Sequence, residues 1–155
     1  MQTKRNVIVC AGLLLAGTSG ALADFTGQPI LGPLFNGSVV TGSTTGAADD
    51  NDGWDSGIHI FNIWDGGDDV YQLNWLGGDL TVTLDSLGGS DNDLFLYRPG
   101  SLDSSSDYSF VGAHDEVLIS SADAGSYYIN VDSTFFSEGD YQLTITPEPG
   151  TLGLL

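Results

Sequence analysis

The chain has 155 residues, with 21 Asp or Glu against three Lys or Arg, and a formal net charge of −18. Such a balance repels nucleic acid and anionic lipid and favours cations. The length suits one domain with a single core, and the one cysteine excludes a disulfide framework within the chain.

In chain order, residues 1–23 read as a secretory signal peptide. Lys4 and Arg5 precede an apolar stretch at 7–17, and Ala21-Leu22-Ala23 is a small-x-small cleavage site before Asp24. The apolar stretch is too short to cross a bilayer as a stable helix. Cys10 lies inside it rather than at the cleavage point, which argues against a lipoprotein. Cleavage removes Cys10, Lys4 and Arg5, so the mature chain sets Arg98 against 21 acids, a net charge of −20. An exported chain without a disulfide must be held by packing or by metal.

Residues 24–37 form a lead segment, and the folded domain is expected over 38–146. A first strand is expected near 38–42 and weaker ones at 58–64 and 116–120. Tyr71, Leu73 and Trp75 alternate with Val70, Gln72 and Asn74. The same period of two recurs at Leu80, Val82 and Leu84, at Tyr127, Ile129 and Val131, and at Tyr141, Leu143 and Ile145. Period-two patterning rich in β-branched and aromatic residues marks half-buried strands. The continuous run Leu94-Phe95-Leu96-Tyr97 predicts a strand covered on both faces. Gly66-Gly67, Gly77-Gly78, Gly88-Gly89, Pro99-Gly100 and Glu138-Gly139 separate these runs as turns, and residues 101–109 read as a polar loop. No segment keeps a helical apolar period. The fold expected is all-β: a single-domain antiparallel β-sandwich or jelly roll.

Six local motifs, in order, resemble the bacterial pre-peptidase C-terminal domain, a fold related to the collagen-binding modules of secreted collagenases. They are the segment 41–50, Asp68-Asp69-Val70-Tyr71-Gln72-Leu73, the strand 78–84, Asp91-Asn92-Asp93-Leu94-Phe95-Leu96-Tyr97, the run 124–131 and the closing run 139–145. The resemblance implies a β-sandwich that accompanies secreted enzymes or stands alone at a surface, with no catalytic activity. At the other end, Pro147-Glu148-Pro149 and the apolar residues 152–155 resemble the head of a PEP-CTERM sorting signal, which exosortases process. No spanning run or basic cluster follows, so the tail, 147–155, is expected to be either truncated or a relic on a released protein.

Ca²⁺ takes six to eight oxygen ligands, and two acidic clusters supply them: residues 49–55, and Asp65 with Asp68 and Asp69. The resemblance implies Ca²⁺ held by Asp49, Asp50, Asp52, Asp65 and Asp69, with the Tyr141 carbonyl. Carboxylates this close repel one another without a cation, and their pKa values rise. An EF-hand starting at Asp49 or Asp50 fails, since Ile60 or Phe61 stands where Glu is needed. Residues 88–93 resemble a single calcium-binding nonapeptide repeat, and one copy cannot stack. Asp91 and Asp93 read instead as turn and strand-start residues.

Catalytic patterns are thin. There are two histidines, His59 and His114, no Gly-x-Ser-x-Gly elbow and no His-Glu-x-x-His. The chain is therefore read as a noncatalytic module, exported to the envelope or extracellular space of a bacterium. Its expected partners are an exosortase-type machinery and an extracellular glycan or protein, with no nucleic acid and no stable membrane span. One alternative is a carbohydrate- or protein-binding adhesin module using exposed aromatics such as Trp54 and Tyr128. The other is a small secreted hydrolase using His114 with Asp115.

Overall fold

A computed structural model describes residues 29–49, 66–98, 101–105, 114–134 and 136–147. The expected strand at 58–64 lies outside them, as do residues 1–23 and 148–155, while Pro147 ends the last described strand. The described residues form nine strands and no helix: β1 (Ile30–Leu34), β2 (Val39–Ser43), β3 (Asp69–Trp75), β4 (Gly78–Ser86), β5 (Asn92–Arg98), β6 (Ser101–Ser105), β7 (His114–Ala122), β8 (Gly125–Ser133) and β9 (Asp140–Pro147). They assort into a five-stranded sheet, β1-β3-β8-β5-β6, and a four-stranded sheet, β2-β9-β4-β7. All pairs are antiparallel except β1 with β3.

Period-two alternation sets the core. Tyr71, Leu73, Leu94, Leu96, Ile129 and Val131 from the larger sheet meet Leu80, Val82, Leu84, Tyr141, Leu143 and Ile145 from the smaller one, all buried. Residues one step along each strand point outward. On the smaller sheet these are polar and partly covered, as with Thr83, Gln142 and Thr144. On the larger sheet the outward positions divide. Gln72, Asn74 and Ser126 form a half-buried hydrogen-bonded ladder at one end. Phe95, Tyr97, Asn130 and Asp132 are buried. The strand 94–97 is thus covered on both faces, as its unbroken apolar run predicts.

Two elements differ from the sequence reading. β1 lies within the lead segment 24–37, where Pro33 and two glycine-flanked apolar residues give no alternating signal. β6 replaces the first half of the polar loop expected at 101–109. Its Ser-rich sequence has low strand propensity, but it is an edge strand whose backbone pairs with β5 alone.

Candidate metal centre

At one end of the sandwich β2, β4 and β8 finish while β3, β5 and β9 begin. The segment after β2 turns there, with the Ala47 N–H donating to the Thr44 carbonyl at 3.0 Å. It is then pinned. The Asp68 N–H donates to the Ala48 carbonyl at 3.0 Å. Thr44 Oγ1 donates to Asn92 Oδ1 at 2.9 Å and accepts from the Gly139 N–H at 3.0 Å. The Glu138 carboxylate accepts from the N–H groups of Gly46 at 3.3 Å and Gly67 at 3.2 Å. Gly67 must be glycine for this approach, because a Cβ there would stand 2.4 Å from the Thr44 carbonyl oxygen. The consequence is that Asp49 and Asp68 are brought to the ends of β8 and β5.

The register then places three carboxylates in a row. Asp93 on β5 pairs directly with Asp132 on the central strand β8. Asp69 on β3 pairs with Val131, so Asp68 stands beside Asp132 on the opposite flank. Facing residues on neighbouring strands point to the same side, so the row Asp68, Asp132, Asp93 lies on the outward face of the larger sheet. All three are buried, Asp132 completely. Asp132 Oδ1 accepts from the Ser133 N–H at 2.8 Å, whereas Asp132 Oδ2 is buried with no hydrogen-bond partner. Burial pushes Asp132 well above the usual carboxylate range, and Asp68, Asp93 and Asp49 push it further. The Ser133 N–H opposes them. Nearby, burial also raises Asp91, whose Oδ1 is likewise without a partner.

The residues named from sequence divide. Asp49 is exposed and close enough to act on Asp132. Asp50, Asp52 and Asp65 lie outside the described residues. Asp69 points the other way, toward the core: its Oδ2 accepts from the Tyr141 hydroxyl at 2.5 Å. That hydroxyl lies 2.8 Å from the hydroxyl of Tyr71. Asp69 and Tyr141 are therefore brought together, but through side chains in a buried network and on the opposite face of β3 from Asp68. Asp132 was missed because its place in an alternating strand reads as solvent-facing. The signal that finds it is the pairing of β5 with β8, which one sequence does not reveal. Calcium chemistry fits this end of the molecule, given the oxygen-only donor set and the orphaned Asp132 oxygen. Among the described residues, however, no group of three or more His, Cys, Asp or Glu side chains is placed so that it could hold a metal ion.

The histidine pairing expected for a hydrolase does not form. His114 and Asp115 are strand neighbours and face opposite sides. His114 is exposed, with Nδ1 2.6 Å from Asp85 Oδ1, while Asp115 is buried. His59, Trp54, Phe61 and Trp64 lie outside the described residues. Tyr128, expected to be exposed, is half-buried on the outward face opposite Gln72.

Residues 67–133 match the family model of the bacterial pre-peptidase C-terminal domain. Among solved structures, the pre-peptidase C-terminal domain of a Bacillus anthracis collagenase is similar, with a TM-score of 0.53. It is 17% identical, over 74% of this chain and 92% of that one. PliG from Aeromonas hydrophila, a periplasmic inhibitor of g-type lysozyme, is similar with a TM-score of 0.46 and 16% identity, over 76% of this chain and 96% of that one. No curated protein matches the chain in sequence.

Proposed function

We propose that this protein is an exported, noncatalytic β-sandwich module of the bacterial envelope or extracellular space, accessory or adhesive in role and stabilised by calcium. The observation that carries this reading is the match of residues 67–133 to the pre-peptidase C-terminal family, on a chain with the same two-sheet fold. The separation of His114 from Asp115 supports a noncatalytic role. The signal peptide over 1–23 supports export, and Pro147-Glu148-Pro149 supports sorting by an exosortase-type machinery. When bound, calcium would neutralise the acids gathered where β3, β5 and β8 meet the segment after β2. Asp49 and Asp68 would then be tied to the sheet through the ion as well as through backbone hydrogen bonds.

Export is tested by expressing the gene in a Gram-negative bacterium and reading the N-terminus of the protein outside the inner membrane. Mature protein beginning at Asp24 is expected. Retention in the cytoplasm with residues 1–23 intact would contradict the reading.

A second reading has its own observation. Tyr128 lies opposite Gln72 with Asn74 and Ser126 beside it. An aromatic ring among amide and hydroxyl groups suits stacking on a sugar with hydrogen bonds at its edge. If this face binds glycans, saturable binding on a glycan array should be lost in Tyr128→Ala. Binding that persists in that variant places any glycan site elsewhere.

A further inference from the structure

Four strands lie at the edges of the two sheets, and three of them resist pairing with another chain. β1 carries Pro33 and a break in its register against β3. β2 and β6 span five residues each, and short edges offer few backbone groups. β7 is different. It spans nine residues, His114–Ala122, without proline or glycine. Among the described residues its backbone pairs with β4 alone. The chain turns at Ser121, where φ is 55° and the N–H donates to Asp79 Oδ1 at 2.6 Å. The open edge therefore runs from His114 to Ser120, with half of its N–H and C=O groups directed away from β4.

The side chains set what this edge can hold. Asp115 and Val117 are buried and Ile119 packs against the core, so His114, Glu116, Leu118 and Ser120 share the outward face. Leu118 is 51% exposed in that row. Glu116 stands beside Thr83 and His114 beside Asp85, while Asp79 closes the far end. No lysine or arginine lies on β7 or β4. A strand added here meets an apolar side chain among acids, on a chain of net charge −18. A second copy brings acid to acid, whereas a basic segment brings the opposite charge.

We infer that β7 is a docking edge for an extended basic segment of another protein, which adds a further strand to the smaller sheet. Backbone hydrogen bonds supply the affinity, and residues two apart in the segment face the same surface. A Lys or Arg lies over Glu116, and an apolar residue two positions along lies over Leu118. The inference goes beyond the module reading by giving it a protein partner. It uses the smaller sheet, not the larger one that carries the acidic row and Tyr128.

The test is fluorescence anisotropy of the full chain with a library of blocked peptides as long as the open edge, with Lys and Val alternating on one face. Saturable binding is expected, and peptides with Glu in place of Lys should bind about tenfold more weakly or worse. Only alternate amides of an added edge strand donate to the sheet. Methylating one alternate set of peptide nitrogens should therefore abolish binding, and methylating the other should leave it within about twofold. Glu116→Lys should weaken the basic peptides by about fivefold to tenfold, and Leu118→Ser by about threefold. Thr41→Lys, which adds the same charge on the opposite edge of the same sheet, should change binding by less than about twofold. Binding that is indifferent to both methylation sets, or unchanged in Glu116→Lys and Leu118→Ser, would overturn the inference. So would no binding by any peptide of the library, or a dimer in sedimentation velocity that Leu118→Ser dissolves, which would give the edge to a second copy. Export is read in its own assay, so either reading can fail alone.

Discussion

The hydroxyl of Tyr141 donates to Asp69 and meets the hydroxyl of Tyr71 inside the sandwich. Burial, together with the bonds to Asp69 and Tyr71, drives its pKa far above the ordinary phenol value, so it stays a donor at any physiological pH. Tyr141→Phe would leave a buried Asp69 oxygen without its donor and should cost about 1–3 kcal/mol in denaturant unfolding. Gly42 lies against the same ring: a Cβ there would stand 2.3 Å from the Tyr141 hydroxyl oxygen. Gly42→Ala should therefore destabilise the fold by roughly 1–3 kcal/mol through overpacking. At the surface, the hydrogen bond to Asp85 raises the pKa of His114 above its usual 6.5. The stability it adds is full below that value and is lost as pH rises through the folded-state pKa. His114→Ala should cost at most about 1 kcal/mol at pH 5 and almost nothing at pH 9 by chemical denaturation. At this scale the sequence is only partly legible. Gly67 was readable as a turn, but not as a residue that lets one backbone press on another. Asp132 looked like a solvated position, because alternation reports one sheet's faces and not what covers them.

Strands β3, β4, β8 and β9 show how far local pattern carries. Each alternates cleanly, and the apolar set of each is the set found in the core. β8 is central, paired with β3 on one side and β5 on the other. Ile129, fully buried on it, should cost about 2–5 kcal/mol when truncated to Ala, measured by denaturant unfolding. Edge elements were harder to read. β1 and β6 each pair with a single neighbour, so half of their backbone groups need no partner strand and their side chains need no alternation. β6 is built of serine, leucine and aspartate, and its strand geometry comes from β5 rather than from its own propensity. The site suffers the same limit. Its row crosses three strands that are distant in sequence, so no local motif spells it.

Across the whole molecule, charge and fold pull against each other. The chain carries a formal net charge of −18, which favours solubility but strains a compact state by self-repulsion. Several acids are held at one end of the sandwich, where Asp132 is fully buried. A divalent ion, if bound as proposed, would relieve both burdens and stabilise the fold by mass action. Extracellular modules commonly bind calcium with dissociation constants of about 10⁻⁴–10⁻³ M. At 10 mM calcium the mass-action gain is then about 1.4–2.7 kcal/mol, or roughly 5–10 °C in melting temperature for a domain of this size. The most direct measurement is thermal unfolding of the full chain at pH 7.5, with 10 mM Ca²⁺ and with chelator, at matched ionic strength. A rise of about 5 °C or more with calcium is predicted; identical melting curves would contradict a calcium-stabilised module.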